Sequence, residues 1–107
     1  MKESPLMIKS KEFALDVIKV CKEIRLAKCE SALINQFLRS GTSIGANIRE
    51  AFYAHGKADF IAKLQIALKE CSETEYWIEL LFEILTSARK PLETKGFRAL
   101  YVLTKML

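Results

Sequence analysis

The chain has 107 residues and a mass of 12.2 kDa, so we expect a single domain that spans residues 1–107. Half of the residues are hydrophobic and 28% are charged, which excludes a disordered protein, and 4 Gly with 2 Pro are too few for the turns of an all-β protein. The net charge of +4 is a mild basic excess that is compatible with a nucleic-acid partner without being diagnostic of one.

The sequence lacks the residue patterns of metal sites, membrane spans and secretion signals. Its three cysteines are widely spaced and His55 is its only histidine, so the paired ligands of a zinc site are missing. No apolar run approaches the roughly 18 residues of a membrane helix, and no apolar region long enough for a signal peptide follows the first five residues. We therefore expect no metal, no cofactor, reduced thiols and a cytoplasmic location.

The first predicted helix covers residues 11–28, with Ser10 as its N-cap. At 100° per residue its main apolar face is formed by Phe13, Val17, Val20, Cys21 and Ile24. A second apolar stripe is formed by Leu15, Ile18 and Leu26. A helix in a small monomer needs only one such stripe, so we assign the second one to an interface between subunits.

The second predicted helix covers residues 31–54 and contains Gly41 and Gly45 at one-turn spacing. An interior glycine destabilises a helix by about 1 kcal/mol relative to alanine. Either close helix packing offsets this cost, or the glycines mark a break between two short helices. We favour packing, because small residues four apart allow two helices to approach closely.

The third predicted helix covers residues 57–85, and a fourth covers residues 93–106 after Pro91. The third helix has a main apolar stripe and a second one, which we also assign to an oligomer interface; the second stripe is formed by Ile66, Trp77, Leu80 and Ile84. Four helices joined by short links, with no strand pattern, predict an all-α fold, an antiparallel up-down-up-down four-helix bundle.

Charge is distributed unevenly along the chain. Residues 1–49 carry a net +4, residues 50–88 a net −4 and residues 89–107 a net +4. This pattern fits either charge complementarity between helices or subunits, or a basic face for nucleic acid. Under the second interpretation the candidate phosphate-binding residues are Lys19, Lys22, Arg39 and Arg49.

Residues 41–45 match G-x-S-x-G, the motif of a nucleophile elbow. An elbow requires a strand before the serine and a base beside it, whereas here the residues before Ser43 have a helical pattern and His55 is the only candidate base. We therefore expect no catalytic residues and no enzymatic activity.

Two adjoining stretches carry a family resemblance. Residues 38–51, LRSGTSIGANIREA, and residues 59–78, DFIAKLQIALKECSETEYWI, resemble two signatures of the proteins encoded in 23S rRNA intervening sequences. The resemblance implies a four-helix bundle, a ring of five subunits and no catalytic residues. It also implies a role connected with ribosomal RNA.

From the residues and the resemblance together, we expect a non-enzymatic homo-oligomer that associates with RNA or ribonucleoprotein through basic faces. The resemblance implies that this oligomer is a pentamer. The alternative is a protein-binding accessory factor. The resemblance includes one, the accessory subunit of reverse transcriptases in diversity-generating retroelements, so a nucleic-acid-processing protein is the second candidate partner.

Overall fold

The computed structural model describes residues 4–87, which form three α-helices and no strand within that range. Helix α1 is Pro5–Leu26, α2 is Ser31–Phe52 and α3 is Lys57–Ser87. The all-helical prediction is thereby confirmed. The predicted fourth helix, residues 93–106, lies outside the described residues.

Helix α1 begins six residues earlier than predicted, and Ser10 is not its N-cap. Ser4 holds that position and its Oγ accepts a hydrogen bond of 3.1 Å from the backbone N–H of Met7. Pro5 follows at the first helical position, where its fixed φ favours the helix and its missing N–H has no effect. Ser10 is instead buried within the helix, where its Oγ donates to the carbonyl of Met7 at 3.1 Å.

Helix α2 is continuous through both glycines, so the alternative of two short helices is wrong. It lies between the other two helices and packs against each of them. The contacts between α1 and α2 show the relative direction of the two helices. Arg25 contacts Asn35, whereas Val17, which is earlier in α1, lies against Gly41, which is later in α2. The pairs that join α2 to α3 follow the same rule, so both pairs of helices are antiparallel.

The core is built from apolar faces that meet between the helices, and the buried face of α1 contains the five residues predicted for it. Its largest fully buried side chains include Phe13 of α1, Phe37 and Ile44 of α2, and Ile78 and Leu81 of α3. Burying each such side chain contributes about 1.5–3 kcal/mol to folding, which exceeds the cost of the two glycines in α2. Tertiary packing therefore decides the continuity of α2.

One buried polar contact joins α2 to α3 within this core. The hydroxyl of Thr74 donates to the Oγ of Ser40 at 2.9 Å, and neither residue is measurably exposed. The two hydroxyls also bond to carbonyls of their own helices, those of Glu70 and Phe37. Each hydroxyl keeps a carbonyl of its own helix as an acceptor, so the contact between the helices adds to the preference for one register without being needed to satisfy either group.

Candidate nucleic-acid interface

The structure divides the four predicted phosphate-binding residues among three different surfaces. Arg39 lies on the side of α2 that faces α3. Its Nη1 donates to Glu70 Oε2 at 3.2 Å and its Nη2 donates to Glu73. The charge of Arg39 is therefore compensated by two carboxylates of its own chain, and its side chain is oriented toward α3.

Arg49 lies about 80° around the axis of α2 from Arg39, on the flank next to α1. It borders a cavity of about 200 Å³ in the groove between these two helices, and Lys11 of α1 borders the same cavity. The remaining lining residues are Met7, Ser10, Ala14, Thr42, Gly45 and Ala46. Two cations therefore border a concave floor of mostly small residues, and the lining contains no carboxylate among residues 4–87.

The cationic border of this groove extends along α1. Lys11, Ile18, Lys22 and Arg25 are separated by seven, four and three residues, so they form one stripe of the helix. The Nη2 of Arg25 donates to Asn35 Oδ1 of α2 at 3.3 Å, which shows that this stripe borders α2. From Lys11 to Arg25 the stripe extends about 21 Å at 1.5 Å per residue. We call this surface, with Arg49 opposite, the α1–α2 basic groove.

The acidic side chains of α1 lie on a different side of the helix. Glu12, Asp16 and Glu23 share a stripe about 130° around the axis from the basic one. On α2, the carboxylate of Glu50 accepts from Lys63 of α3 at 3.1 Å, so it is directed away from α1. The acidic stripe of α1 thus lies away from the stripe of Lys11, Lys22 and Arg25, although Lys19 and Lys9 lie close to it.

Lys19 belongs to the outermost face of α1 rather than to the groove. Residues 8, 15, 19 and 26 form one stripe, in which Lys19 lies among three exposed apolar side chains. Leu15 is 50% exposed and Leu26 is 84% exposed, and Ile8 precedes them on the same stripe. Ile18, which is 38% exposed, belongs to the basic stripe and not to this face.

The second apolar stripe of α3 is only partly accessible. Ile66 and Ile84 are exposed by 41% and 43%, whereas Leu80 and Trp77 are half-buried. Trp77 packs against the core, and its buried indole N–H has no hydrogen-bond acceptor in the described part of the chain. We therefore place Trp77 at the inner edge of this stripe, not at its exposed centre.

The two glycines lie where α2 approaches α1 most closely. A Cβ atom on Gly41 would be 2.9 Å from both γ carbons of Val17, and one on Gly45 would be 3.3 Å from the backbone oxygen of Ser10. Gly45 also lines the basic groove. The glycines thus bring the two helices together and keep the floor of the groove open.

Ser43 of the G-x-S-x-G motif is an interior residue of α2, with helix on both sides. Asn47 donates to its Oγ at 3.0 Å and to its carbonyl at 2.9 Å. A nucleophile elbow needs a sharp turn between strand and helix, so residues 41–45 do not form one.

Within residues 4–87, no group of three or more His, Cys, Asp or Glu side chains is arranged to hold a metal ion. None of the described helices combines the length and the apolar content that crossing a membrane requires.

A family model described as 23S rRNA-intervening sequence protein matches residues 2–95. The chain belongs to this family. Membership in the 23S rRNA-intervening sequence protein family confirms the resemblance carried by residues 38–78, and the match extends over most of the chain.

A solved structure supports the fold. A protein of unknown function from the S23 ribosomal protein family of Bacteroides thetaiotaomicron is 44% identical to this chain, with a TM-score of 0.80. The alignment covers 94% of this chain and 89% of that one. A search among curated proteins gave no match.

Lys11 and Arg25 are the groove residues that the sequence analysis missed. The spacing of 11, 18, 22 and 25 was visible in the sequence, but several stripes of α1 carry lysines. Which stripe borders α2 follows from the contacts of Arg25 and Val17, and these are properties of the packed pair of helices.

Proposed function

We propose that the chain is a non-enzymatic, cytoplasmic, homo-oligomeric bundle that binds RNA through the phosphates of its backbone, in the α1–α2 basic groove. The observation that carries the proposal is the cavity bordered by Lys11 and Arg49, with Lys22 and Arg25 continuing the same surface. Cations that line a groove without carboxylates attract phosphates at long range and give binding that depends little on base sequence. The family name, which refers to 23S rRNA, favours RNA over other polyanions.

The proposal includes a fourth helix at residues 93–106. An apolar cleft of about 100 Å³ lies between the start of α1, α2 and the first half of α3. It is lined by Leu6, Ile44, Ile48, Leu64, Ala67, Leu68 and Cys71. A fourth amphipathic helix at this corner would cover the cleft and complete the bundle, and slow hydrogen exchange of the amides of residues 93–106 is the expected result.

The proposal also includes self-association through the apolar stripes on opposite sides of the bundle. The outer face of α1 carries Leu15 and Leu26 around Lys19, and the flank of α3 carries Ile66 and Ile84 around Glu73. Because these two surfaces differ, pairing them between copies gives a head-to-tail interface, the type that forms a ring when the rotation between neighbouring copies closes. Five copies is the number that the family resemblance implies.

Fluorescence anisotropy with a labelled RNA tests the RNA-binding part of the proposal. Lys11→Gln combined with Lys22→Gln removes two charges from the groove, and both side chains are exposed, so the fold should persist. Lys9→Gln combined with Lys69→Gln removes the same charge from exposed positions outside the groove and serves as the matched control.

The groove variant should bind more weakly than the control, and its log–log salt slope should be shallower by about 1.4, since each phosphate contact contributes about 0.7 on a single strand. Equal binding by the two variants would assign the affinity to net charge rather than to the groove. A wild-type oligomer that binds no RNA at about 50 mM salt would contradict the proposal and favour the protein-binding accessory role.

A further inference from the structure

An exposed aromatic ring lies at one end of the basic groove. Tyr53 caps the C-terminus of α2 and is 61% exposed. Thr42, Ala46 and Arg49 all line the cavity, and Tyr53 continues their stripe at the next helical turn, four residues after Arg49. Positions four residues apart on a helix lie on one face, so Tyr53 extends the face of α2 that carries Arg49.

The size of the cavity limits what the groove can accommodate. Its volume of about 200 Å³ is below the roughly 300–1,000 Å³ of pockets that enclose whole small molecules. It can hold a phosphate with part of its sugar between Lys11 and Arg49, which leaves the attached base outside. Tyr53 is the exposed ring next to that position.

We propose that the α1–α2 basic groove selects single-stranded RNA, with a phosphate held between Lys11 and Arg49 and an adjacent unpaired base stacked on the ring of Tyr53. This inference rests on the proposed function and adds the class of RNA. A base within a duplex is stacked between its neighbours and cannot also lie on a protein ring, whereas an unpaired base can. Positive grooves with aromatic platforms are a general solution for binding single strands with little sequence preference.

The test compares Tyr53→Ala with Tyr53→Phe, using two probes with equal numbers of phosphates: a single-stranded oligoadenylate and a duplex RNA. Tyr53→Ala should weaken binding of the single strand about fivefold or more and leave duplex binding unchanged. Tyr53→Phe keeps the ring and should bind as the wild type does. Tyr76→Ala removes a comparably exposed ring, 54% accessible, from α3 and is the matched control.

Two outcomes would overturn the inference. In one, Tyr53→Ala binds the single strand as tightly as the wild type does, while the groove variant, Lys11→Gln with Lys22→Gln, loses affinity. The proposed function would then stand, and the stacking role of Tyr53 would be wrong. The other is equal loss on both probes, which would mean that Tyr53 supports the local structure of α2. Wild-type protein that binds neither probe contradicts this inference together with the proposed function.

Discussion

Gly41 of α2 lies against Val17 of α1 so closely that a Cβ atom on the glycine would be 2.9 Å from both γ carbons of the valine. Val17 is completely buried and β-branched, so its side chain has few alternative rotamers. The absence of a side chain at Gly41 is therefore what lets the backbones of α1 and α2 approach each other at this point.

This contact predicts that the effect of Gly41→Ala depends on the residue at position 17. In the wild type the added methyl group overpacks the contact, and we expect a loss of about 1–2 kcal/mol in the free energy of unfolding. In a Val17→Ala background the two γ carbons are gone and only the Cβ atom of residue 17 remains, 3.3 Å from the added methyl group, so the same substitution should cost less than in the wild type. Urea denaturation of the four proteins measures both values; an equal cost in both backgrounds would contradict the assigned contact.

The buried hydroxyl pair between α2 and α3 gives a second prediction. Thr74→Val removes the donor to Ser40, and we expect destabilisation of about 1 kcal/mol. Ser40→Ala should reduce the free energy of unfolding by less in the Thr74→Val background than in the wild type, because the two hydroxyls are partners. A double-mutant cycle by chemical denaturation measures this coupling, and strictly additive effects would show that the two hydroxyls act independently.

The cysteines predict how stability and reactivity depend on pH. Burial raises the pKa of the Cys21 thiol from 9.0 to about 11, against a smaller opposing effect of Arg25. Burial, together with the charge of Glu75, also raises the pKa of Cys71. Since the folded protein holds these protons more tightly than the unfolded chain, the stability that they contribute is fully present below about pH 9 and is lost at higher pH; for Cys21 the loss is about 1.4 kcal/mol per pH unit up to about pH 11.

Alkylation by iodoacetamide, followed by mass spectrometry, checks the same environments at the level of single residues. Cys29 is only half-buried, so at pH 8 it should be modified before Cys21 and Cys71. Early modification of Cys21 in the folded protein would be incompatible with its burial in the core.

Lys19 and Lys22 are close in sequence but lie on different surfaces, and charge reversal should separate their roles. Lys19→Glu places a negative charge within the outer apolar face of α1, so we expect weaker self-association and little change in RNA affinity per protomer. Lys22→Glu reverses a charge of the groove, so we expect weaker RNA binding by an intact oligomer. Light scattering and anisotropy measure the two properties, and matching behaviour of the two variants would refute this division.

Arg39 should contribute little to RNA binding, although it was one of the candidates from the sequence. Its hydrogen bond to Glu73 raises its pKa, and Glu70 contacts it as well, so its charge is already paired. Arg39→Gln should leave RNA affinity and its salt slope unchanged and reduce stability by less than about 1 kcal/mol, because the pair is half-exposed. A shallower salt slope for this variant would show that Arg39 contacts the RNA and would contradict the prediction.

The sequence by itself determined the helical class and the approximate bounds of α2 and α3. Apolar periodicity is a local property, and on α1 the face that it predicted is the one that enters the core. The start of α1 was also encoded locally, by Ser4 followed by Pro5, but Ser10 offered a competing N-cap. Both serines precede a stretch with a helical pattern, so the sequence alone does not show which of them is the N-cap. The hydrogen bond from the N–H of Met7 to the Oγ of Ser4 identifies Ser4.

Only the tertiary structure decided which charges share a surface. Arg39 and Arg49 lie on the same polar side of α2 in a helical projection, yet one borders α3 and the other borders α1. Lys11 and Arg25 joined the groove for the same reason. Which flank of a helix borders a given neighbour depends on how the two helices pack. The close approach of α2 to α1 at Gly41 and Gly45 fixes that packing, and it joins residues that are far apart in the chain.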